Sequence, residues 1–177
     1  MHRNLLKNLL QQYQASPEEQ DYKKRMLLFL DESSDCFERS LTSGHFTASA
    51  WLESKDGSQV LLMHHTKLNM WVQFGGHCDG NSDVLAVAIK EAQEESGVKS
   101  IEPVSSEIFD IDIHRIPANS KEPEHDHYDI RFLLKVTSDE SFVKNNESKA
   151  LAWFGKDKSK LPTDSRSVIR MFEKWCA

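Results

Sequence analysis

Cysteine is scarce. Cys36, Cys78 and Cys176 are odd in number and form no C-x-x-C pair, which argues against a disulfide framework and against a four-sulfur zinc site. A reducing, cytoplasmic setting is the expectation. No apolar run approaches the roughly 20 residues that a membrane span needs, and Met1–Lys7 has neither the apolar core nor the small-residue cleavage site of a signal peptide. Internal repeats and low-complexity tracts are absent too. Positive charge is in short supply: 22 Lys+Arg stand against 28 Asp+Glu, a net −6. Such a surface repels phosphate backbones, so nucleic acid is not the expected partner. The deficit is uneven. From Lys144 onward eight Lys/Arg meet four Asp/Glu, a local +4, which leaves −10 for the rest. A small phosphate-bearing ligand then needs local chemistry that overrides the field, and a bound divalent cation supplies it. The basic C-terminal stretch itself reads as a solvated helix surface.

What is present suits one globular domain of 177 residues, 38% hydrophobic and 28% charged, with a small helical extension. Asn4–Tyr13 is amphipathic, with Leu5, Leu6, Leu9 and Leu10 on one side. Ser16-Pro17-Glu18-Glu19 reads as a helix start, running to about Leu30. Residues 1–42 are therefore expected as the helical N-terminal extension, a dimerisation element or a lid, and 43–177 as the main domain. Strand patterns cover 45–52, 60–63, 108–116 and 128–136, with a polar loop at 117–124. Gly75-Gly76 breaks the chain, and a helix follows over about 82–96, capped by Asn81 or Ser82 and stopped by Gly97. Residues 165–175 form a last amphipathic helix with Val168, Ile169, Phe172 and Trp175 inward. The mixture predicts an α+β fold, an α/β/α sandwich around a mixed sheet.

The helix after the double glycine carries Glu91, Glu94 and Glu95. At about 100° per residue these acids share one face. They lie in the last turns, where the helix dipole is already negative, and like charges at i,i+3 and i,i+4 cost about 0.2–0.5 kcal/mol per pair. Lys90 is the main nearby base. A hard divalent cation removes this conflict, because carboxylate oxygens suit Mg²⁺ or Mn²⁺.

The stretch Gly76–Val98 resembles the signature of the Nudix hydrolase family, G-x5-E-x7-R-E-U-x-E-E-x-G-U, where U is aliphatic. Gly76 matches the first glycine, Glu91 the acid after the Arg, Glu94 and Glu95 the acid pair, and Gly97-Val98 the close. Ser82 stands where the family has its first Glu, Lys90 where it has Arg, and Ala92 at the first U. The resemblance implies the Nudix fold and hydrolysis of a pyrophosphate link in a nucleoside diphosphate-type small molecule. It implies Mg²⁺ or Mn²⁺ held by Glu91, Glu94, Glu95 and the Gly75 carbonyl, with the three glutamates as the catalytic set. A further carboxylate outside the signature, from Glu122, Glu124 or Glu147, is expected as general base. Two other readings accompany it: a Nudix-fold domain that binds a nucleotide as a sensor without turnover, suggested by Ser82, and a diphosphate isomerase-like member of the superfamily.

Seven of the eight histidines lie between His45 and His127. Alternation puts His125, His127, Asp129 and Arg131 on one strand face and Tyr128, Ile130 and Phe132 on the other. Asp110, Asp112 and His114 likewise share a face, opposite Phe109, Ile111 and Ile113. A hairpin symmetric about 117–124 would pair His114 with His127, Asp112 with Asp129, and Asp110 with Arg131, and two facing aspartates need a cation or a proton. The candidate substrate-binding set is His77, Asp79, His114, His127, Asp129 and Arg131. The alternative is a polar, solvent-facing sheet surface. No compact spacing marks a zinc site here. Cys78 has no identifiable activating base, and Trp51, Trp71 and Trp153 read as core.

Overall fold

The computed structural model describes residues 2–120 and 123–177. Apolar residues at i,i+4 make the first two helices. Leu6 and Leu10 of α1 (His2–Gln12) and Met26 and Leu30 of α2 (Gln20–Glu32) are all buried. The two helices cap one another. Arg3 donates to the carbonyls of Leu30, Ser33 and Ser34 at the end of α2, and Lys23 donates to those of Gln11 and Tyr13 at the end of α1. A cation on terminal carbonyls satisfies acceptors that no intrahelical N–H reaches. The second helix starts later than Ser16-Pro17 suggests, because residues 17–19 form a turn. Glu19 closes that turn by accepting from the Ser16 N–H (3.0 Å) and stands as N-cap.

The strands follow as β1 (Gly44–Glu53), β2 (Gln59–His65), β3 (Trp71–Val72) and β4 (Phe74–His77). After α3 (Val84–Ser96) come β5 (Ile101–Pro103), β6 (Asp110–Ile116), β7 (His125–Val136), β8 (Ser148–Gly155) and α4 (Arg166–Cys176). All eight join one sheet whose main path runs β3-β2-β1-β7-β5. β1 and β7 are parallel along their whole contact, while the other pairs are antiparallel, so the sheet is mixed as expected. β6 and β7 take the register read from the symmetric loop: His114↔His127, Asp112↔Asp129 and Asp110↔Arg131.

Alternation sends Phe46, Ala48, Ala50, Ile130 and Phe132 to one face, where they form a cluster with α1, α2 and α3. Trp51, Val60 and Leu62 point the other way, against Val168, Met171, Phe172 and Trp175 of α4. Phe109, expected on the Ile111 side, precedes β6 and joins this second cluster. The layers are thus α/β/α, with α1 and α2 contributing to the domain's own core. Of the four α1 leucines, Leu5 alone is largely exposed. No described helix is long and apolar enough to cross a membrane.

Three local expectations need correction. Gly75-Gly76 does not break the chain; it lies inside β4, paired with Ser49 and Ala48 of β1. The cap of α3 is Asp83, whose Oδ1 accepts from the Ala86 N–H (3.1 Å), while Asn81 holds the Asp83 N–H. Gly97 closes that helix in the left-handed region at φ 73°, as expected. The basic C-terminal helix is no solvated surface, because Arg170 is 4% exposed.

Candidate active site

Strand β4 lies beside β1 at one end of the sheet, and α3 packs across the face to which Gly76 points. A Cβ built on Gly76 would come within 2.5 Å of Glu91 Oε2 and 2.7 Å of its Cδ, so the missing side chain is what lets Glu91 lie against the strand. Gly75 reaches the acids through its N–H, which donates to Glu95 Oε2 at 2.8 Å. Lys90, in the signature's Arg position, bridges Glu91 (3.1 Å) and Glu94 (3.0 Å) along the exposed side of α3. Ser82, at the position of the signature's first Glu, offers Lys90 no carboxylate.

Glu95 is 4% exposed, and its pKa is pushed up from the usual 4.5 to about 8. Burial is the main cause. The Gly75 N–H opposes it, while the neighbouring carboxylates of Glu91 and Glu147 add to it. Glu147 stands close enough to Glu95 for its carboxylate to disfavour charge there. Its position is set by the chain just before β8: its N–H donates to Asn145 Oδ1 (2.9 Å) and its carbonyl accepts from Thr66 N–H (2.8 Å). Of the two expected general bases among the described residues, Glu147 is the one that meets the α3 acids. Glu124 pairs with Arg115 (2.8 Å) at the β6–β7 end, and Glu122 lies outside the described residues.

This geometry tests whether a divalent cation fits. The donors are carboxylate oxygens, one buried carboxyl group has no cation paired to it among the described residues, and a glycine keeps open the place where a side chain would stand. All three suit a hard cation.

The sheet-face residues divide into two groups. Asp129 and Arg131 are buried and fully occupied. Arg131 donates to Asp129 (2.7 Å), Asp110 (3.0 Å) and Ser167 (3.2 Å), and Asp129 also accepts from Thr47 (2.9 Å) and Ser49 (2.8 Å). Arg170 of α4 enters the same layer, donating to Asp110 (2.9 Å), Asp112 (3.1 Å), the Ile111 carbonyl (2.8 Å) and Glu18 (3.0 Å). Lys174 adds bonds to Asp110 (2.7 Å) and Glu19 (2.6 Å). The cation that the facing aspartates require is therefore the guanidinium pair. The network ties α4 and the α1–α2 turn to the sheet.

The second group is imidazole. His77 and His127, with His45 beside them, place ligand-type atoms within 4.8 Å of one another. His114 and His125 border His127 at ring-centroid distances of 5.3 and 5.1 Å. Burial, and then the surrounding histidines, push the pKa of His127 down to about 2, so it is neutral at ordinary pH. Asp79 stands apart in the turn after β4, at φ 49° and ion-paired to Arg39. Cys78 is buried, and burial followed by the charge of Asp129 pushes its thiol well above the usual range, which removes it as a nucleophile. Sequence reasoning did not single out His45, Arg170 or Lys174. His45 reads only as the start of an alternating strand, and the two cations read as surface.

A family model for the NUDIX domain matches residues 44–175 of this chain. A search of curated protein sequences finds no match. Among solved structures, a C. elegans Ap4A hydrolase in binary complex is similar with a TM-score of 0.58 at 17% identity, covering 73% of this chain and 93% of that one. A NUDIX-family hydrolase from Clostridium perfringens gives 0.54 at 25% identity, covering 74% and 95%. The E. coli dihydroneopterin triphosphate pyrophosphohydrolase gives 0.55 at 14%, covering 73% and 92%.

Proposed function

The chain belongs to the Nudix family, and on that footing we propose that it is a pyrophosphohydrolase. It would use Mg²⁺ or Mn²⁺ to cleave the pyrophosphate bond of a nucleoside diphosphate-linked small molecule. The observation that carries this reading is the meeting of Glu91, Glu95 and Glu147 at one place, with Glu95 buried and its pKa displaced to about 8 by burial and its acidic neighbours. A structural carboxylate set would be paired with arginines, as Asp110 and Asp129 are. Among the described residues this set is paired with Lys90, on its exposed side.

Glu91, Glu94, Glu95 and the Gly75 carbonyl would hold the cation, which when bound neutralises the pyrophosphate and lowers the pKa of a water. The Gly75 N–H orients Glu95, and the open position at Gly76 fixes where Glu91 stands. Glu147, exposed, would accept a proton from the attacking water as general base. The Ap4A hydrolase and the dihydroneopterin triphosphate pyrophosphohydrolase are relatives in fold, and a dinucleoside polyphosphate and a nucleotide-like triphosphate belong in the test set.

The experiment is a panel of nucleoside diphosphate compounds with Mg²⁺ or Mn²⁺, with products separated. Metal-dependent cleavage of at least one compound, lost in Glu95→Gln, supports the proposal. Calorimetric binding of a nucleotide without turnover would replace it with the sensor reading that Ser82 suggests.

A further inference from the structure

On the sheet face away from α3, three strands bring imidazoles to one place. His45 is second in β1, His77 ends β4 and His127 lies near the start of β7. The parallel β1–β7 register sets His45 beside His127, and the β1–β4 register sets His77 beside Thr47. Ring centroids of the three are 4.9–5.0 Å apart in each pairing. One ligand atom from each lies within 4.8 Å of the other two. Around a tetrahedral cation with metal–nitrogen bonds of about 2.0–2.1 Å, ligand atoms sit about 3.3 Å apart, so small side-chain rotations close the set.

The surrounding hydrogen bonds have the form that a nitrogen site needs. A backbone carbonyl can only accept, so the 2.9 Å contact of His125 Nδ1 with the Pro123 oxygen places the proton on Nδ1 and leaves Nε2 as an acceptor. That Nε2 stands 3.2 Å from Nε2 of His127, whose proton is thereby assigned to the shared edge, leaving a lone pair on its other nitrogen. His114, half-exposed, bonds Asp112 through Nδ1 (3.2 Å) and borders the triad at the His127 ring. No carboxylate is a member of the triad itself, so its chemistry differs from that of the oxygen-rich α3 face. Alternation along β4, with Gly76 toward α3 and His77 on the opposite side, sets the two on different faces of one strand.

We propose that His45, His77 and His127 form a second metal site, selective for a borderline transition-metal cation of the Zn²⁺ class over Mg²⁺. Imidazole nitrogens favour Zn²⁺, Cu²⁺, Ni²⁺ and Fe²⁺, whereas Mg²⁺ and Mn²⁺ go to oxygen. Three protein ligands leave a fourth position for solvent or a ligand. The site stands independently of the hydrolase reading, because it shares no side chain with the α3 carboxylates.

The test titrates chelator-treated protein with Co²⁺ alone, in excess Mg²⁺ that occupies any carboxylate site, and follows visible ligand-field absorption. The expected result is one equivalent of Co²⁺ with the intense bands of a four- or five-coordinate nitrogen site, displaced by Zn²⁺. Glu95→Gln should leave the spectrum unchanged. His77→Ala and His127→Ala should each weaken binding by more than the 10–100-fold that loss of an outer-shell partner costs. Neither variant need fold for the proposal to be tested, because X-ray absorption on Zn²⁺-loaded wild-type protein reads the ligands directly. Three imidazoles at about 2.0–2.1 Å are expected there. No Co²⁺ uptake, an oxygen-only shell, or uptake abolished by Glu95→Gln and untouched in folded His77→Ala and His127→Ala would overturn it.

Discussion

Replacing Glu95 with Gln should change how stability depends on pH. In the metal-free protein the Glu95 carboxyl titrates at about 8 instead of 4.5. The folded state therefore holds a proton that the unfolded state releases, and stability falls as pH rises from about 4.5 to about 8. His127 acts in the opposite sense. With its pKa lowered to about 2 from 6.5, it makes stability rise with pH up to about 6.5 and contributes nothing more above that. Between pH 6.5 and 8 the Glu95 contribution thus stands alone of the two. That window spans about 1.5 pH units, or about 2 kcal/mol, and for a chain of this length about 4–8 °C in Tm. The assay is thermal unfolding by circular dichroism in chelator across that window. Wild type should lose those degrees, and Glu95→Gln should be nearly flat. Saturating Mg²⁺ should flatten the wild-type curve and raise it at pH 8, with no such gain in the variant. A wild-type Tm that holds constant or climbs from pH 6.5 to 8, or an equal fall in the variant, would refute the placing of Glu95 in a buried, uncompensated acidic cluster.

Other consequences follow from named contacts. Arg170→Ala leaves Asp110 and Asp112 short of a partner in a buried layer and should destabilise the fold by about 3–5 kcal/mol in urea or thermal melts. Glu147→Gln should lower kcat by about 10²–10⁴-fold with little change in KM in steady-state kinetics. Gly76→Ala should leave the strand intact, since its φ is ordinary, but push Glu91 aside. Roughly a hundredfold loss in kcat/KM with weaker Mg²⁺ binding by calorimetry is expected.

The sheet-side alternation in 128–136, the β6–β7 register and the acidic face of α3 were legible because they depend on local period and on one symmetric loop. β4 was not, because two adjacent glycines read as punctuation when no partner strand is in view. β8 escaped for a similar reason: Lys149-Ala150-Leu151-Ala152-Trp153 becomes a strand by pairing with β2, not by its own pattern. Tertiary pairing also decided the rest of the site. Glu147 reaches Glu95 from a loop some fifty residues away in sequence. Arg170 and Lys174 look like surface cations on a helical wheel, and they turn inward only because β6 presents two aspartates to them. The imidazole triad draws one residue from each of three strands, so no compact spacing could announce it.

The central claim is that the α3 carboxylates and Glu147 form a metal-dependent hydrolytic centre. The most direct measurement is ³¹P NMR of a pyrophosphate-linked nucleotide incubated with wild-type protein, with Mg²⁺ and then with chelator, beside Glu91→Gln. Loss of the pyrophosphate resonances with Mg²⁺, halted by chelator and by the variant, is the predicted result. Hydrolysis that persists in chelator or in Glu91→Gln, or a nucleotide that binds and stays intact, would contradict it.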